Sequence, residues 1–308
     1  MLPAYITHAD CARHEMGVDH PECPQRLAAI NDMLLTKGLL DYMHPYDAPL
    51  ATLAQLAHAH SSRYVAELID ASPTEGYYRV DPDTQMNPFT IQAALRAAGA
   101  VVQATDLVLS GEAPSAFCCV RPPGHHAERS AAMGFCFFNN IAVGIRHALA
   151  EHGIQRVALI DFDVHHGNGS EDIFRGDDRE LMCSIFEQGI YPFTGDNAKG
   201  ANMVNVGLPS RSGGEAFRSA VTERWMPALD AFAPELIYIS AGFDGHREDD
   251  MGNLGLLESD YAWVTQQLMD VARRHCKGRI ISSLEGGYEL SPLARSVAAH
   301  VKVLIGAD

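Results

Sequence analysis

Asp161, Asp163 and His165 interrupt an apolar run, Arg156-Val-Ala-Leu-Ile-Asp-Phe-Asp-Val-His-His-Gly-Asn-Gly169. The run has the composition of a buried strand, and strand side chains alternate between faces. These three therefore project to one side for as long as the extended geometry persists. Buried carboxylates are costly unless they are paired, neutralised or bound to a metal. Asp-x-His at the end of such a strand is thus a metal-site candidate, the alternative being carboxylates that cap the following turn. Asp244, in Ala241-Gly-Phe-Asp-Gly245, holds the same position relative to its own apolar run and is the best third ligand. Asp163, His165 and Asp244 together would offset a divalent charge and leave positions open, the mark of a catalytic zinc site. Iron(II) suits the same mixed donors. Adjacent strand residues face apart, so His165 is taken as the ligand and His166 as support for the loop.

A second group could move protons. His125 and His126 follow Arg121-Pro-Pro-Gly, a rigid approach that fixes where the imidazoles point. Adjacent histidines can act as a general base and an acid or electrostatic partner. Each needs an acceptor behind it, and Asp161 and Asn168 are the candidates. A carboxylate raises its histidine's pKa whereas an amide leaves it lower, so the rings should differ in proton affinity. Tyr288 in Glu285-Gly-Gly-Tyr could donate a hydrogen bond to an oxyanion. His58 and His60 fall in the helix-like stretch 53–69, where i and i+2 do not converge, and are assigned structural roles. Phe137 and Phe138 are assigned to core packing.

The elements that must position these groups follow from periodicity. Apolar β-rich runs recur at 115–120, 156–164, 181–186, 235–240 and 279–284, separated by helical spacing over 24–37, 89–109, 139–152, 214–232, 259–276 and 291–305. Gly111, Gly153 and Gly278 fall where helices should stop. Unbroken apolar strands between helices indicate a parallel sheet covered on both faces. Four of the strands run directly into a Gly-containing loop carrying His, Asp or Tyr. Open parallel sheets bind ligands outside the carboxyl ends of their strands, so these loops should meet in one crevice.

Composition bounds the reading. The 308 residues are 47% apolar, with no internal repeat or linker, and one domain over 1–308 is expected. No uncharged apolar run approaches the roughly 20 residues of a membrane helix. The first residues lack a basic stretch followed by an apolar one, so no secretory signal and no membrane association are expected, and the cytoplasm is the default. Seven cysteines without a CxxC pair favour a reducing compartment over a disulfide framework. A net charge of −16 argues against capture of nucleic acid. A homo-oligomer is compatible with everything above.

Taken in order, RPPGHHA, GFCFFNN, DFDVHHGNG, SAGFD and EGGY resemble the zinc-dependent histone deacetylase family, in particular its class II-like bacterial amidohydrolase branch. His20-Pro-Glu-Cys-Pro-Gln-Arg26 and Asp81-Pro-Asp-Thr84 are similar to that branch too, so the resemblance runs from about residue 8 to 290. It implies an arginase/deacetylase α/β sandwich, three layers around a mostly parallel eight-stranded sheet. It implies Asp163, His165 and Asp244 as zinc ligands, His125 and His126 as catalytic histidines backed by Asp161 and Asn168, and Tyr288 as the oxyanion donor. Gly134, Phe135, Tyr191, Asp83 and Met251 would contact substrate. Phe135 and Tyr191 would flank the acyl-lysine channel, where many relatives have two phenylalanines. Arg26 would stand near an exit for the acid product. A structural potassium ion near Asp161, Asp163, His165 and Ser184 is typical of relatives.

The expected reaction is removal of an acetyl or other short acyl group from N-acyl-lysine or a similar small amide. An acetylpolyamine deacetylase is the rival within the enzymes. Relatives with that preference carry an acidic gatekeeper where this chain has Met251, although Glu248, Asp249 and Asp250 lie close by. A non-catalytic acyl-lysine-binding module would not need the complete set of ligands, histidines and tyrosine. A two-metal arginase-like hydrolase would need more carboxylates around Asp161–His166.

Overall fold

A computed structural model describes residues 1–307. Eight strands form one all-parallel sheet: β1 (Ala4–Thr7), β2 (His44–Asp47), β5 (Ser115–Cys118), β6 (Val157–Asp161), β7 (Glu180–Glu187), β8 (Met203–Leu208), β9 (Leu236–Ala241) and β10 (Ile280–Leu284). Their spatial order is β2-β1-β5-β10-β9-β6-β7-β8. Strands β5, β6, β7, β9 and β10 are buried along their whole length, which is why they are unbroken apolar runs in the sequence. A two-stranded antiparallel ribbon, β3 (Tyr78–Arg79) with β4 (Gln85–Met86), stands apart from the sheet.

Helices cover both faces. On one lie α2 (Leu53–Ala59), α3 (Ser62–Asp70), α4 (Thr90–Ser110), α5 (Asn140–Glu151) and α6 (Asn168–Phe174). On the other lie α1 (Gln25–Thr36), α7 (Gly214–Ala220), α8 (Met226–Phe232), α9 (Glu258–His275) and α10 (Leu290–Leu304). Tyr238 of β9 marks the first face: its hydroxyl meets Thr105 Oγ1 of α4 at 2.7 Å and donates to the Gly144 carbonyl of α5 at 3.1 Å. Ser282 of β10, in register with Ile239, marks the other, its hydroxyl 2.8 Å from His300 Nε2 of α10.

Three strands of the main sheet, and both strands of the small ribbon, went unrecognised in the sequence. β1 has only four residues, β2 is an exposed edge containing Pro45, and β8 is a half-buried edge with Asn205 and Gly207 inside it. Edge strands tolerate Pro and polar residues, which erases the apolar signal. The stretch 53–69 is two helices rather than one. Thr52 and Gln55 form a capping box on α2, and Ser61 caps α3, its Oγ accepting the Tyr64 N–H at 3.2 Å. The helical run 214–232 is continuous but passes through a π-turn at Val221–Trp225. Gly111, Gly153 and Gly278 all adopt positive φ at helix ends. Among the described residues no helix is long and apolar enough to cross a membrane.

Candidate active site

The five strands whose carboxyl ends carry the chemical groups are neighbours in the sheet: β5, β10, β9, β6 and β7. β6 ends at Asp161, so the common direction of the polar groups is set by turns rather than by strand alternation. Asp161 Oδ1 accepts the Asp163 N–H at 3.1 Å, and Asp163 Oδ1 accepts the His165 N–H at 2.9 Å. The carboxylates thus cap turns as well as converge. The phenylalanines of the two motifs point the other way: Phe162 and Phe243 pack edge to face at 5.9 Å, and both contact His300 and Tyr261. That aromatic cluster seats both acidic loops on the core.

Asp163, His165 and Asp244 are brought together, each offering a ligand atom within 4.8 Å of the other two. His165 Nδ1 lies 3.1 Å from Asp163 Oδ1 and 3.2 Å from Asp244 Oδ2. All three are buried. The remaining oxygens are oriented by main-chain donors, Val164 N–H to Asp244 Oδ1 at 2.9 Å and Gly286 N–H to Asp163 Oδ2 at 2.8 Å. Asp244 Oδ2 is buried and makes no hydrogen bond among the described residues, although it lies 3.2 Å from His165 Nδ1. Two glycines make the close packing feasible: a Cβ at Gly242 would lie 2.0 Å from Asp163 Oδ2, and one at Gly286 would lie 2.0 Å from Asp244 Oδ2. Burial and the Asp163 charge push Asp244 up to about 7. Burial opposes charge on His165, but the two carboxylates outweigh it and push the ring up to about 10. This arrangement favours positive charge among the three groups, and a proton on the ring or, with the ring neutral, a divalent cation would satisfy it.

The two neighbouring histidines sit in contrasting fields. His125 Nδ1 is 3.1 Å from Asp161 Oδ2, and Nε2 is 3.8 Å from Asp163 Oδ2. Burial alone would lower this ring, but Asp163 and Asp161 outweigh it and raise it to about 10. His126 Nδ1 is 2.7 Å from Asn168 Oδ1. Burial and the neighbouring His125 and His165 hold His126 well below the usual histidine range. The ring centroids of the pair are 4.0 Å apart.

A narrow pocket of about 120 Å³ opens onto these groups, lined by Asp83, His126, Gly134, Phe135, His165, Tyr191, Met251 and Tyr288. Gly134 backs the His126 ring at φ +54°, where a Cβ would approach Cδ2 to 2.5 Å. Phe135 adopts φ +67°, uncommon for a bulky residue. Its N–H donates to Thr84 Oγ1 at 2.9 Å, which in turn donates to Asp83 Oδ1, so the 81–84 loop fixes the Phe135 wall. The Tyr191 ring stands edge-on to His126 at 5.1 Å, and its hydroxyl is buried without a hydrogen-bond partner among the described residues. Burial, then the charges of Asp244 and Asp163, push the Tyr288 phenol well above 10, which keeps it a neutral donor. A larger groove of about 1090 Å³ between α1 and α10 contains none of these groups. Convergent chemistry, not volume, marks the site.

Other placements are structural. His166 lies 3.2 Å from both Ser184 Oγ and Glu171 Oε2, inside the loop. His60 is buried, 2.9 Å from the Glu128 carbonyl, and its Nε2 accepts the Asn139 N–H. Phe137 and Phe138 are core residues. Asp161 and Ser184 face each other in register across β6 and β7. Arg26 is fully buried beneath Tyr288, donating to the carbonyls of Gly287 at 2.6 Å and Glu285 at 2.5 Å.

Two supporting carboxylates escaped sequence reasoning. Glu285 Oε2 accepts the N–H groups of Gly124 and His125 at 2.6 and 3.1 Å, pinning the histidine loop to β10. Asp249 Oδ2 accepts the N–H groups of Tyr288 and Glu289 at 2.6 and 3.0 Å, while Oδ1 accepts that of Met251 at 3.0 Å. The one available signal for Glu285 was an acid at the end of an apolar run. Asp249 was hidden in the acidic run Glu248–Asp250.

An all-parallel sheet with an acidic metal-type cluster, paired histidines and a tyrosine at its carboxyl edge defines a hydrolase of the deacetylase and amidohydrolase class. The family model for the histone deacetylase domain matches residues 20–304, and the chain belongs to that family. It is 36% identical to the histone deacetylase-like amidohydrolase of Pseudomonas aeruginosa over 87% of this chain and 72% of that protein. It is 35% identical to the polyamine deacetylase HDAC10 of Mus musculus, over 99% of this chain but only 48% of the mouse protein. The crystal structure of the HDA15 HD domain superposes with a TM-score of 0.92 at 34% identity, covering 99% of this chain and 88% of that one.

Proposed function

We propose that the chain is a single catalytic unit, a metal-dependent deacylase that releases acetate or another short acid from N-acyl-lysine or a similar small amide. One observation carries this reading: His126, His165 and Tyr288, from three separate loops, line the same narrow pocket. Asp163, His165 and Asp244 would hold zinc, or iron(II) with the same donors. Their unpartnered Asp244 oxygen and mixed nitrogen and oxygen set fit either ion. Such an ion, when bound, supplies Lewis-acid polarisation of the amide carbonyl and lowers the pKa of water. Asp161, Asp163, His165 and Ser184 would hold the potassium ion that the resemblance implies, with no chemical step assigned to it.

The residues divide the remaining work. His126 is neutral and lines the pocket, so its Nε2 accepts the proton of the attacking water while Asn168 holds the opposite nitrogen. His125 stands behind it with Nδ1 on Asp161, a partner that favours positive charge on the ring and so the negative charge that develops on the carbonyl oxygen. The Tyr288 phenol donates a hydrogen bond to that oxygen. The C–N bond then breaks, and the proton taken up by His126 leaves on the amine. Phe135 and Tyr191 enclose the chain that carries the amide, and Asp83 offers an acceptor at the rim for a substrate N–H.

Acyl-lysine is preferred over acetylpolyamine because no acid takes the gatekeeper position. Met251 lines the pocket, Glu248 is engaged by Arg295 at 2.9 Å, and Asp249 is turned to the main chain of the Tyr288 loop. The net charge of −16 supports a substrate other than nucleic acid, and seven free cysteines fit a reducing, cytoplasmic setting. The test is steady-state kinetics of zinc-loaded protein on acetyl-lysine peptides and acetylspermidine. Higher kcat/KM on the peptides is expected, with Tyr288→Phe slower by about 10²-fold or more. A large polyamine preference would reverse the substrate assignment. Acyl ligands bound without any acid being released would make the chain a binding module.

A further inference from the structure

Far from the pocket, Asp106 of α4, His147 of α5 and His152 just beyond α5 form a second convergent cluster. Both imidazole Nε2 atoms lie 2.7 Å from the same oxygen, Asp106 Oδ1. The ring centroids are 5.4 Å apart and the planes 73° from each other. Residues five apart on a straight helix point about 140° away from one another, so sequence spacing alone would separate these rings. They meet because α5 ends at Glu151. His152 leaves the helix at φ −109°, ψ 1°, and Gly153 turns the chain at φ +67°.

The donor chemistry has the features of a metal site. His147 is buried and turns Nε2 to Asp106, while its Nδ1, without a hydrogen-bond partner among the described residues, would carry the ring proton once Nε2 binds an ion. The Asp106 side chain is half exposed, which leaves room for water to complete a coordination sphere. Ligand atoms about 2.0–2.2 Å from a tetrahedral ion are roughly 3.4 Å apart, so the carboxylate, now 2.7 Å from each ring, would have to withdraw by about 0.7 Å or more. An exposed aspartate can do that at little cost. The overall charge of −16 raises the local concentration of cations.

We propose that Asp106, His147 and His152 form a second, solvent-facing site for a zinc-class divalent ion, which ties α4 to the end of α5. Two imidazoles and one carboxylate select borderline ions such as zinc, cobalt or nickel over magnesium or calcium. An ion held only by the folded chain raises its stability with concentration. The site does not depend on the proposed catalytic role of the first cluster.

The experiment measures zinc bound per chain by equilibrium dialysis, and Tm against free zinc, for the full chain and for His152→Ala and Asp106→Asn. Each variant is expected to lose one zinc equivalent and the zinc-dependent part of the Tm rise, with zinc-loaded deacylase activity unchanged. Asp163→Asn should remove a different equivalent, which separates this proposal from the reading of the active site. Asp106→Asn keeps a hydrogen-bond acceptor and guards against a folding defect in His152→Ala. Equal zinc stoichiometry and equal Tm response in wild type and both variants, up to about 100 μM free zinc, would overturn the proposal.

Discussion

Asp249 is the most exposed point of the catalytic reading, because it touches no substrate and yet holds the Tyr288 loop. Its buried carboxylate accepts three main-chain N–H groups, those of Tyr288, Glu289 and Met251, from two loops. Asp249→Ala leaves all three N–H groups without their acceptor. Each unsatisfied amide costs about 1–3 kcal/mol when buried, and water entering from the nearby pocket recovers part of that, so the net loss of stability should be about 2–4 kcal/mol. The larger consequence is for turnover. A displacement of about 1 Å in a positioned group can cost about 10²-fold in rate, so kcat should fall about 10- to 100-fold while KM changes little. The assay is kcat and KM on an acetyl-lysine peptide for wild type, Asp249→Ala, Tyr288→Phe and the double variant, at a temperature where all are folded. If Asp249 acts through Tyr288, adding Asp249→Ala to Tyr288→Phe should lower kcat less than about threefold further. Retention of kcat within about twofold in Asp249→Ala, or full additivity in the double variant, would refute the reasoning.

Two further predictions follow from buried groups. Burial holds His60 down to about 4 and His300 down to about 3, both from an ordinary 6.5. The unfolded chain therefore binds more protons than the folded one below pH 6.5. The stability that these two groups contribute is present in full above pH 6.5 and is lost as pH falls toward 3. Tm measured from pH 7 to 4 should drop, with a shallower slope in His300→Gln; an identical slope would exclude that histidine. Gly286→Ala should place a methyl 2.0 Å from Asp244 Oδ2 and 2.6 Å from Asp163 Oδ2, so bound zinc and turnover should fall together by about tenfold or more. Metal analysis of the purified variant is the check, and a full zinc complement with full activity would contradict the geometry.

Polar residues that follow apolar runs are conspicuous, which is why the sequence alone groups Asp163, His165, Asp244 and Tyr288. They do meet in space, although through turns capped by Asp161 and Asp163 rather than through strand alternation. The central strands were legible for the same reason, since complete burial leaves an uninterrupted apolar signature. The edges were not: Pro45 and Asn205 sit where one side of a strand is free of neighbours and polar residues cost little. Glu285 and Asp249 were equally hidden, because they act on main-chain amides far away in sequence, and an amide has no residue type to betray its partner. The cluster around Asp106 was hidden by the helix end that creates it.

Gly242 and Gly286 bring main chain, rather than side chains, up to the carboxylates of Asp163 and Asp244. At these two points the carboxylates rest against bare main chain, so any side chain larger than hydrogen would have to displace one of them. Tyr191 and Met251 line the pocket with side chains instead, and a change at either would alter what enters it.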